Sequence, residues 1–209
     1  MSDLEIRRHE SVPMAHFDAL YATNADPWSY QTSAFEAEKR ARTLQALGGR
    51  TFEEGLELGC SIGVLTADLA PYCTSLTGVD GSKSACDLAR NRLAHCHHVK
   101  VLHARIPEDL AQLAAPGELE LIVLSEILYF FSASDMKKLS FYVMQALKPG
   151  GLCVVVNFDG DTEAGFTGLE AATLFTELTR EVLRLEKCQN YAGFQVRTFT
   201  TLTSDGMPR

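Results

Sequence analysis

Apolar and polar positions along this chain follow two alternating rhythms. Short strand-like runs lie at 51–58, 75–80, 99–103, 119–125 and 152–158, the purest of them apolar at 152–156. Between them, 63–70, 82–95, 107–114 and 134–147 carry the spacing of helices. In the last of these, Met136, Leu139, Val143 and Leu147 recur every three or four residues, as one helix face requires. Lys148-Pro149-Gly150-Gly151 then stops the helix and turns the chain into Leu152-Cys153-Val154-Val155-Val156. That run has no polar residue, which suits a strand covered on both faces. The alternation predicts an α/β fold, a doubly wound and mostly parallel sheet with helices on either side.

The two ends of the chain depart from this rhythm. Residues 1–13 read as a loose arm and 14–22 as a short helix, followed by turn-forming residues 23–30 that include Trp28, the one tryptophan. A helix over 31–47 follows. It has Phe35, Leu44, Leu47 and alanines 37, 41 and 46 near one face, and a polar face of Glu36, Glu38, Lys39 and Arg42. Gly48-Gly49 ends it. Beyond the fifth strand come a Gly- and acid-rich loop (159–168), a helix (169–180), and two strand-like runs, 185–189 and 194–202, joined at 190–193 as an antiparallel hairpin. A polar tail closes at 204–209. With no repeat or linker, the chain reads as one domain over 1–209, a helical cap at 1–47 and a sheet core at 51–202.

Composition narrows the partners. Net charge is −8 over 209 residues with no basic patch, which disfavours nucleic acid and anionic membrane. The first ten residues are polar, without the apolar segment of a signal peptide, and no apolar run is long enough to span a bilayer. The six cysteines form no Cys-x-x-Cys pair, as expected of free thiols in a cytoplasmic protein. No metal is expected: His95-Cys96-His97-His98 are adjacent and cannot converge on one ion. A monomer is favoured.

An open parallel sheet binds its ligand beyond the carboxyl ends of its strands. The first strand there gives way to Glu57-Leu58-Gly59-Cys60-Ser61-Ile62-Gly63, whose small residues permit a tight turn and close approach to the main chain. Asp80 lies at the tip of the second strand, about twenty residues on, where an acid can take both hydroxyls of a ribose. Glu57 would repel a pyrophosphate. It would suit the ammonium of a nucleoside carrying an amino-acid tail, whose carboxylate could face main-chain N–H groups of the turn. S-adenosylmethionine is such a ligand.

These residues, with Asp80 and Leu147-Lys148-Pro149-Gly150-Gly151, resemble class I S-adenosylmethionine-dependent methyltransferases. The resemblance implies a Rossmann-like sheet of seven strands with one antiparallel. Asp26-Pro27-Trp28, Phe35-Glu36-x-x-Lys39-Arg40 and Gly59-Cys60-Ser61-Ile62-Gly63-Val64-Leu65-Thr66 together are similar to the rhizobial nodulation-protein-S family. That family N-methylates the free amine of the deacetylated, non-reducing-end glucosamine of a chitooligosaccharide, a precursor of the Nod factor.

The resemblance implies roles. Gly59, Cys60, Ser61 and Gly63 would cradle the cofactor, with Glu57 on its ammonium and Asp80 on its ribose; Gly81 and Ser82 would lie beside ribose and adenine. Ala104, Arg105 and Ile106 would meet the adenine through main-chain N–H groups and apolar packing, although Arg105 stands where relatives often place an acid. Ser125, Glu126, Tyr129, Phe130 and Phe131 would face the reacting sulfur. Glu126 and Tyr129 are the catalytic candidates, since each can accept an N–H of the amine and later its proton. Trp28 and Tyr30 could form a lid or anchor the first helix, and Arg40 could reach the cofactor carboxylate. Asp159 and Asp161 could bind sugar hydroxyls or stay solvated. Three alternatives stand beside this reading: methylation of another small molecule, a nicotinamide-dependent oxidoreductase, and an inert cofactor-binding module.

Overall fold

Hydrophobic strands and capped helices build the expected frame. The computed structural model describes residues 10–162 and 164–202. The first nine residues of the predicted arm, and the predicted tail, lie outside these. Seven strands form one sheet: β1 (Phe52–Leu58), β2 (Cys73–Asp80), β3 (Val99–His103), β4 (Leu119–Ser125), β5 (Leu147–Phe158), β6 (Leu183–Tyr191) and β7 (Phe194–Thr201). Their order is β3-β2-β1-β4-β5-β7-β6, parallel from β3 to β5, with β7 antiparallel to both β5 and β6. The order reverses at β1, between β2 and β4, so the ends of these three strands frame the crevice where such sheets bind ligands.

The helices are α1 (Met14–Thr23), α2 (Ala34–Ala46), α3 (Val64–Leu69), α4 (Lys83–Arg92), α5 (Ala133–Ala146) and α6 (Gly168–Thr179). Alternate residues of the strands bury into two apolar layers. Cys153 and Val155 of β5 enter one with Met136, Leu139 and Phe175, whereas Leu152, Val154 and Val156 enter the other with Leu47, Phe52 and Phe194. Both faces are therefore covered, as the unbroken apolar run of β5 requires. Among the described residues, no helix is long and apolar enough to cross a membrane.

Three expectations shift. The helix predicted at 107–114 is only a short 3-10 turn, Leu110–Gln112. Pro107 brings no N–H, and Ala115-Pro116-Gly117 leaves no room to extend. The α2 helix starts later than predicted because Asp26 accepts the N–H groups of Tyr30 and Gln31 at 2.8 and 3.0 Å, leaving Ser33 as the cap. The third shift matters most for the site: α2 turns its charged side inward. Glu36, Lys39 and Thr43 are its buried residues, and Ala37 and Ala41 face solvent.

Candidate active site

The turn after β1 is held from within. Gly59, Ser61 and Gly63 all have left-handed backbone, with φ of 81°, 50° and 75°. The N–H groups of Gly59 and Cys60 both donate to the Val79 carbonyl (2.8 and 2.9 Å), and that of Gly63 to the Cys60 carbonyl (2.9 Å). Ser61 N–H donates to Asp80 Oδ2 at 2.8 Å. These four amides of the turn, on which a cofactor carboxylate was expected, are thus occupied. A Cβ on Gly59 would stand 2.8 Å from Ile127 Cδ1, so this glycine keeps the turn beside the end of β4. Gly63 serves another purpose: a Cβ there would meet Ala89 at 3.0 Å, which makes it the contact between α3 and α4.

Over this turn lies a cavity of about 400 Å³. Gly59, Ser61, Asp80 and Gly81 line its floor, Arg105 and Ile106 one wall, and Ser125, Glu126, Ile127, Tyr129, Phe130 and Phe131 another. Met14, Phe17 and Tyr21 of α1, with Trp28 and Tyr30, form the cover. Trp28 packs on Tyr21 edge to face and on Tyr30, each at 5.7 Å between centroids. Tyr21 also places its hydroxyl 2.5 Å from Ser61 Oγ, tying α1 to the turn. Trp28 therefore both covers the cavity and anchors α1.

Asp80 accepts Ser61 N–H on one oxygen and Ser82 N–H on the other, both at 2.8 Å. Each oxygen keeps a second lone pair for a hydroxyl. Ser82, fully buried, caps α4 and does not line the cavity. Neither does Ala104, which packs into the apolar core and donates its N–H to the Asp80 carbonyl at 3.1 Å. Arg105 N–H is taken by Asp109 (2.9 Å), so of these three amides only that of Ile106 has no partner among the described residues.

A smaller compartment of about 30 Å³ opens beside the turn, lined by Arg40, Glu57, Cys60, Lys39, Tyr30 and Glu126 among others. Glu57 is 2 % exposed, and its Oε2 has no hydrogen bond among the described residues. Burial raises its pKa to about 8. Arg40 donates to Asp68 (2.9 Å) and to the Tyr30 carbonyl (2.6 Å). An orphaned buried carboxyl and a guanidinium on one small hollow match an ammonium and a carboxylate on one carbon. The residues present thus fit the amino-acid tail of S-adenosylmethionine, with side chains in place of the expected main-chain donors.

Glu126 stands where both compartments meet. It follows β4 on a left-handed backbone, φ 57°, unusual for a residue other than glycine and a recurrent mark of functional sites. Tyr129 donates its hydroxyl to Oε2 at 2.6 Å. Lys39 Nζ lies 3.3 Å from Oε1, an ion pair without hydrogen-bond alignment, and donates instead to Glu36 Oε1 at 2.8 Å. Burial pushes the Glu126 pKa up, and the Lys39 charge pulls it back. Burial and the Glu126 charge keep the Tyr129 phenol protonated, so it serves as a donor to Glu126 rather than as a base.

The structure therefore gathers Trp28, Tyr30, Arg40, Glu57, Gly59, Cys60, Ser61, Asp80, Gly81, Arg105, Ile106, Ser125, Glu126 and Tyr129 around the two compartments. Gly63, Ser82 and Ala104 support them from behind. Asp159 and Asp161 are exposed and line neither. Sequence reasoning missed Glu36 and Lys39, which it put on a solvated face, and Met14, Phe17 and Tyr21, read only as a helix. The spacing of Glu36, Lys39 and Thr43 on one helical stripe was the available signal. Among the described residues no His/Cys/Asp/Glu cluster could hold a metal.

The profile of the nodulation protein S (NodS) family matches residues 19–158. Nodulation protein S of Rhizobium tropici is 31% identical over 170 residues, which is 77% of this chain and 68% of that one. That of Sinorhizobium fredii is 34% identical over 106 residues, 50% of this chain; against it and two further curated relatives, the match spans about half of their length. The crystal structure of the N-methyltransferase NodS from Bradyrhizobium japonicum WM9, in complex with S-adenosyl-l-homocysteine, superposes with a TM-score of 0.73 at 23% identity, covering 90% of this chain and 98% of that one. On the extent of the family match and of the R. tropici alignment, this chain belongs to the nodulation protein S family of S-adenosylmethionine-dependent methyltransferases.

Proposed function

We propose that the chain transfers a methyl group to a sugar amine, the free amine of the deacetylated non-reducing-end glucosamine of a chitooligosaccharide. The observation that carries this reading is the charge around the acceptor side. The large cavity is lined by four carboxylates, Asp80, Glu108, Glu126 and Asp135, against one guanidinium, the exposed Arg105. Such a surface favours a cationic or amine-bearing guest. Trp28, Tyr30 and Phe130 add the aromatic faces on which a sugar ring packs.

When bound, S-adenosylmethionine supplies a methyl group on a sulfonium, whose leaving group is neutral and needs no acid. Arg40, Glu57 and Asp80 would hold it by tail and ribose, and the aromatic cover would exclude water. The chain must then orient an amine with a free lone pair. Glu126 suits that work because Tyr129 fixes one of its oxygens while the other, 3.3 Å from the Lys39 ammonium, has no aligned hydrogen bond among the described residues. It can accept an N–H of the amine and receive the proton that nitrogen sheds. Burial moves its pKa toward that of the amine, which eases the transfer.

The test is incubation with labelled S-adenosylmethionine and chitooligosaccharides that differ only in the terminal acetyl group. Label is expected on the deacetylated chains alone. Label on neither, with S-adenosylhomocysteine still bound, would point to another acceptor or an inert module. Equal label on both would place the methyl somewhere other than the amine.

A further inference from the structure

Lys39 is 4 % exposed, and a lysine so buried needs a partner. Besides the face of the Phe35 ring at 5.0 Å, it has two carboxylate partners, and it treats these differently. Its hydrogen bond goes to Glu36, three residues earlier on α2, at 2.8 Å. Glu126, across the site, receives the charge at 3.3 Å without an aligned N–H. A lysine present only to neutralise Glu126 would give that carboxylate its proton donor. Here Glu36 takes the ammonium's aligned hydrogen bond, so Lys39 acts on Glu126 Oε1 mainly through its charge, at 3.3 Å, and leaves that oxygen without an aligned donor among the described residues. The helix contributes this pair deliberately in the geometric sense: charge faces inward while Ala37 and Ala41 face solvent. The groups facing Glu126 are Glu36 and Lys39 from α2, Tyr30 from the segment before it, and Tyr129 beyond β4.

We propose that Lys39 is a positioning residue, shared between Glu36 and Glu126, that keeps the Glu126 carboxylate charged and open to the acceptor amine. The inference rests on the amine-acceptor reading above. In the step concerned, the amine N–H bond breaks, its electron pair stays on nitrogen, and the proton bonds to a Glu126 oxygen. Without Lys39, the proton affinity of Glu126 would rise and less of the carboxylate would be available to take that proton. Without the Glu36 charge, Lys39 would bear on Glu126 alone and lower its proton affinity.

Two substitutions should therefore act in opposite directions, which a merely structural role would not produce. An opposite charge at this range moves a carboxylate by about 1–3 pH units. For Lys39→Met, the acid limb of the kcat–pH profile should move up by about one pH unit or more, so that turnover at a given pH on that limb falls about tenfold and recovers at higher pH. Lys39→Arg should restore the original limb. For Glu36→Gln the limb should move down. The same ordering should appear without either substrate, in the 13C NMR titration of the Glu126 carboxyl, assigned by its loss in Glu126→Gln. Limbs and titrations that stay in place, or that move the same way in both variants, overturn the proposal. Should Lys39→Met fail to fold, the Glu36→Gln titration decides alone, and the absence of a downward shift overturns it. If the wild-type protein methylates no amine, the acceptor reading falls while the titration still decides whether Lys39 governs Glu126.

Discussion

At pH 7 the free protein should carry Glu57 protonated, and binding of S-adenosylhomocysteine should expel that proton. The carboxyl is 2 % exposed and titrates at about 8. One pH unit below that value, about nine-tenths of the molecules hold the proton. The ligand's ammonium, seated in the compartment that Glu57 shares with Arg40, favours the charged form by roughly 1–3 pH units. Binding at pH 7 should then release roughly 0.4–0.9 protons per ligand, falling to about 0.1 or less at pH 9, where Glu57 is already ionised. Calorimetric titrations in phosphate and in Tris measure the release directly, because the observed enthalpy varies with the buffer's ionisation enthalpy in proportion to it. Glu57→Gln keeps the shape of the side chain and removes the proton, so its enthalpy should not depend on the buffer. A wild-type enthalpy independent of buffer at pH 7, or the same dependence in Glu57→Gln, would refute the assignment of the ammonium to Glu57.

Other outcomes follow from the same coordinates. The folded pKa of Glu57 lies above its usual value of 4.5, at about 8. The contribution of Glu57 to the stability of the ligand-free protein should accordingly be fullest below pH 4.5 and decline as pH rises through about 8, by at most on the order of 5 kcal/mol. Urea unfolding across pH 5–9 should show this decline flattened in Glu57→Gln. Asp80→Ala removes two ribose partners and orphans the Ser61 and Ser82 amides, so the Kd for S-adenosylhomocysteine should rise about a hundredfold by calorimetry. Tyr129→Phe frees an oxygen of Glu126 and should lower kcat about 10–100-fold in the methyl-transfer assay, with the KM for S-adenosylmethionine nearly unchanged. Gly59→Ala puts a Cβ 2.8 Å from Ile127 on a backbone at φ 81°, and should cost on the order of 2–4 kcal/mol in chemical denaturation.

The frame of the molecule was legible because strand-like runs alternate with helical spacing, and because the centre of β5, buried on both faces, is apolar throughout. Residues 99–103 and 119–125 match β3 and β4 from end to end. The turn and Asp80 were legible for a related reason: small residues and an acid at fixed spacing have few other uses. The α2 helix was not. Its alanines were read as an apolar face and its Glu36 and Lys39 as solvated, because charge at helical spacing faces water in most proteins. Here the layer beneath α2 is a binding site, and the charges point at each other and at Glu126. That partner lies on a distant segment, and the stripe of Glu36, Lys39 and Thr43 marks a polar face without saying what it meets. Met14, Phe17 and Tyr21 escaped notice likewise. Their value lies in what they cover, with Met14 over Gly81 and Tyr21 on Ser61.

The inward-turned amides of Gly59, Cys60, Ser61 and Gly63 bear on competition inside a cell. Abundant nucleotides share the adenosine half of the cofactor and differ in carrying phosphates. A glycine-rich turn with free N–H groups would welcome them. This turn has already given those donors to Val79, Asp80 and Cys60, and it sets an acid beneath itself. A phosphate arriving there finds none of these four donors, whereas an amino-acid tail finds Glu57 beside Arg40, a partner for each of its two charges. Committing these four donors within the protein thus favours an amino-acid tail over a phosphate without any group added to repel the latter. An inhibitor meant for this site should spend its polar atoms on the side chains and leave the turn a plain surface.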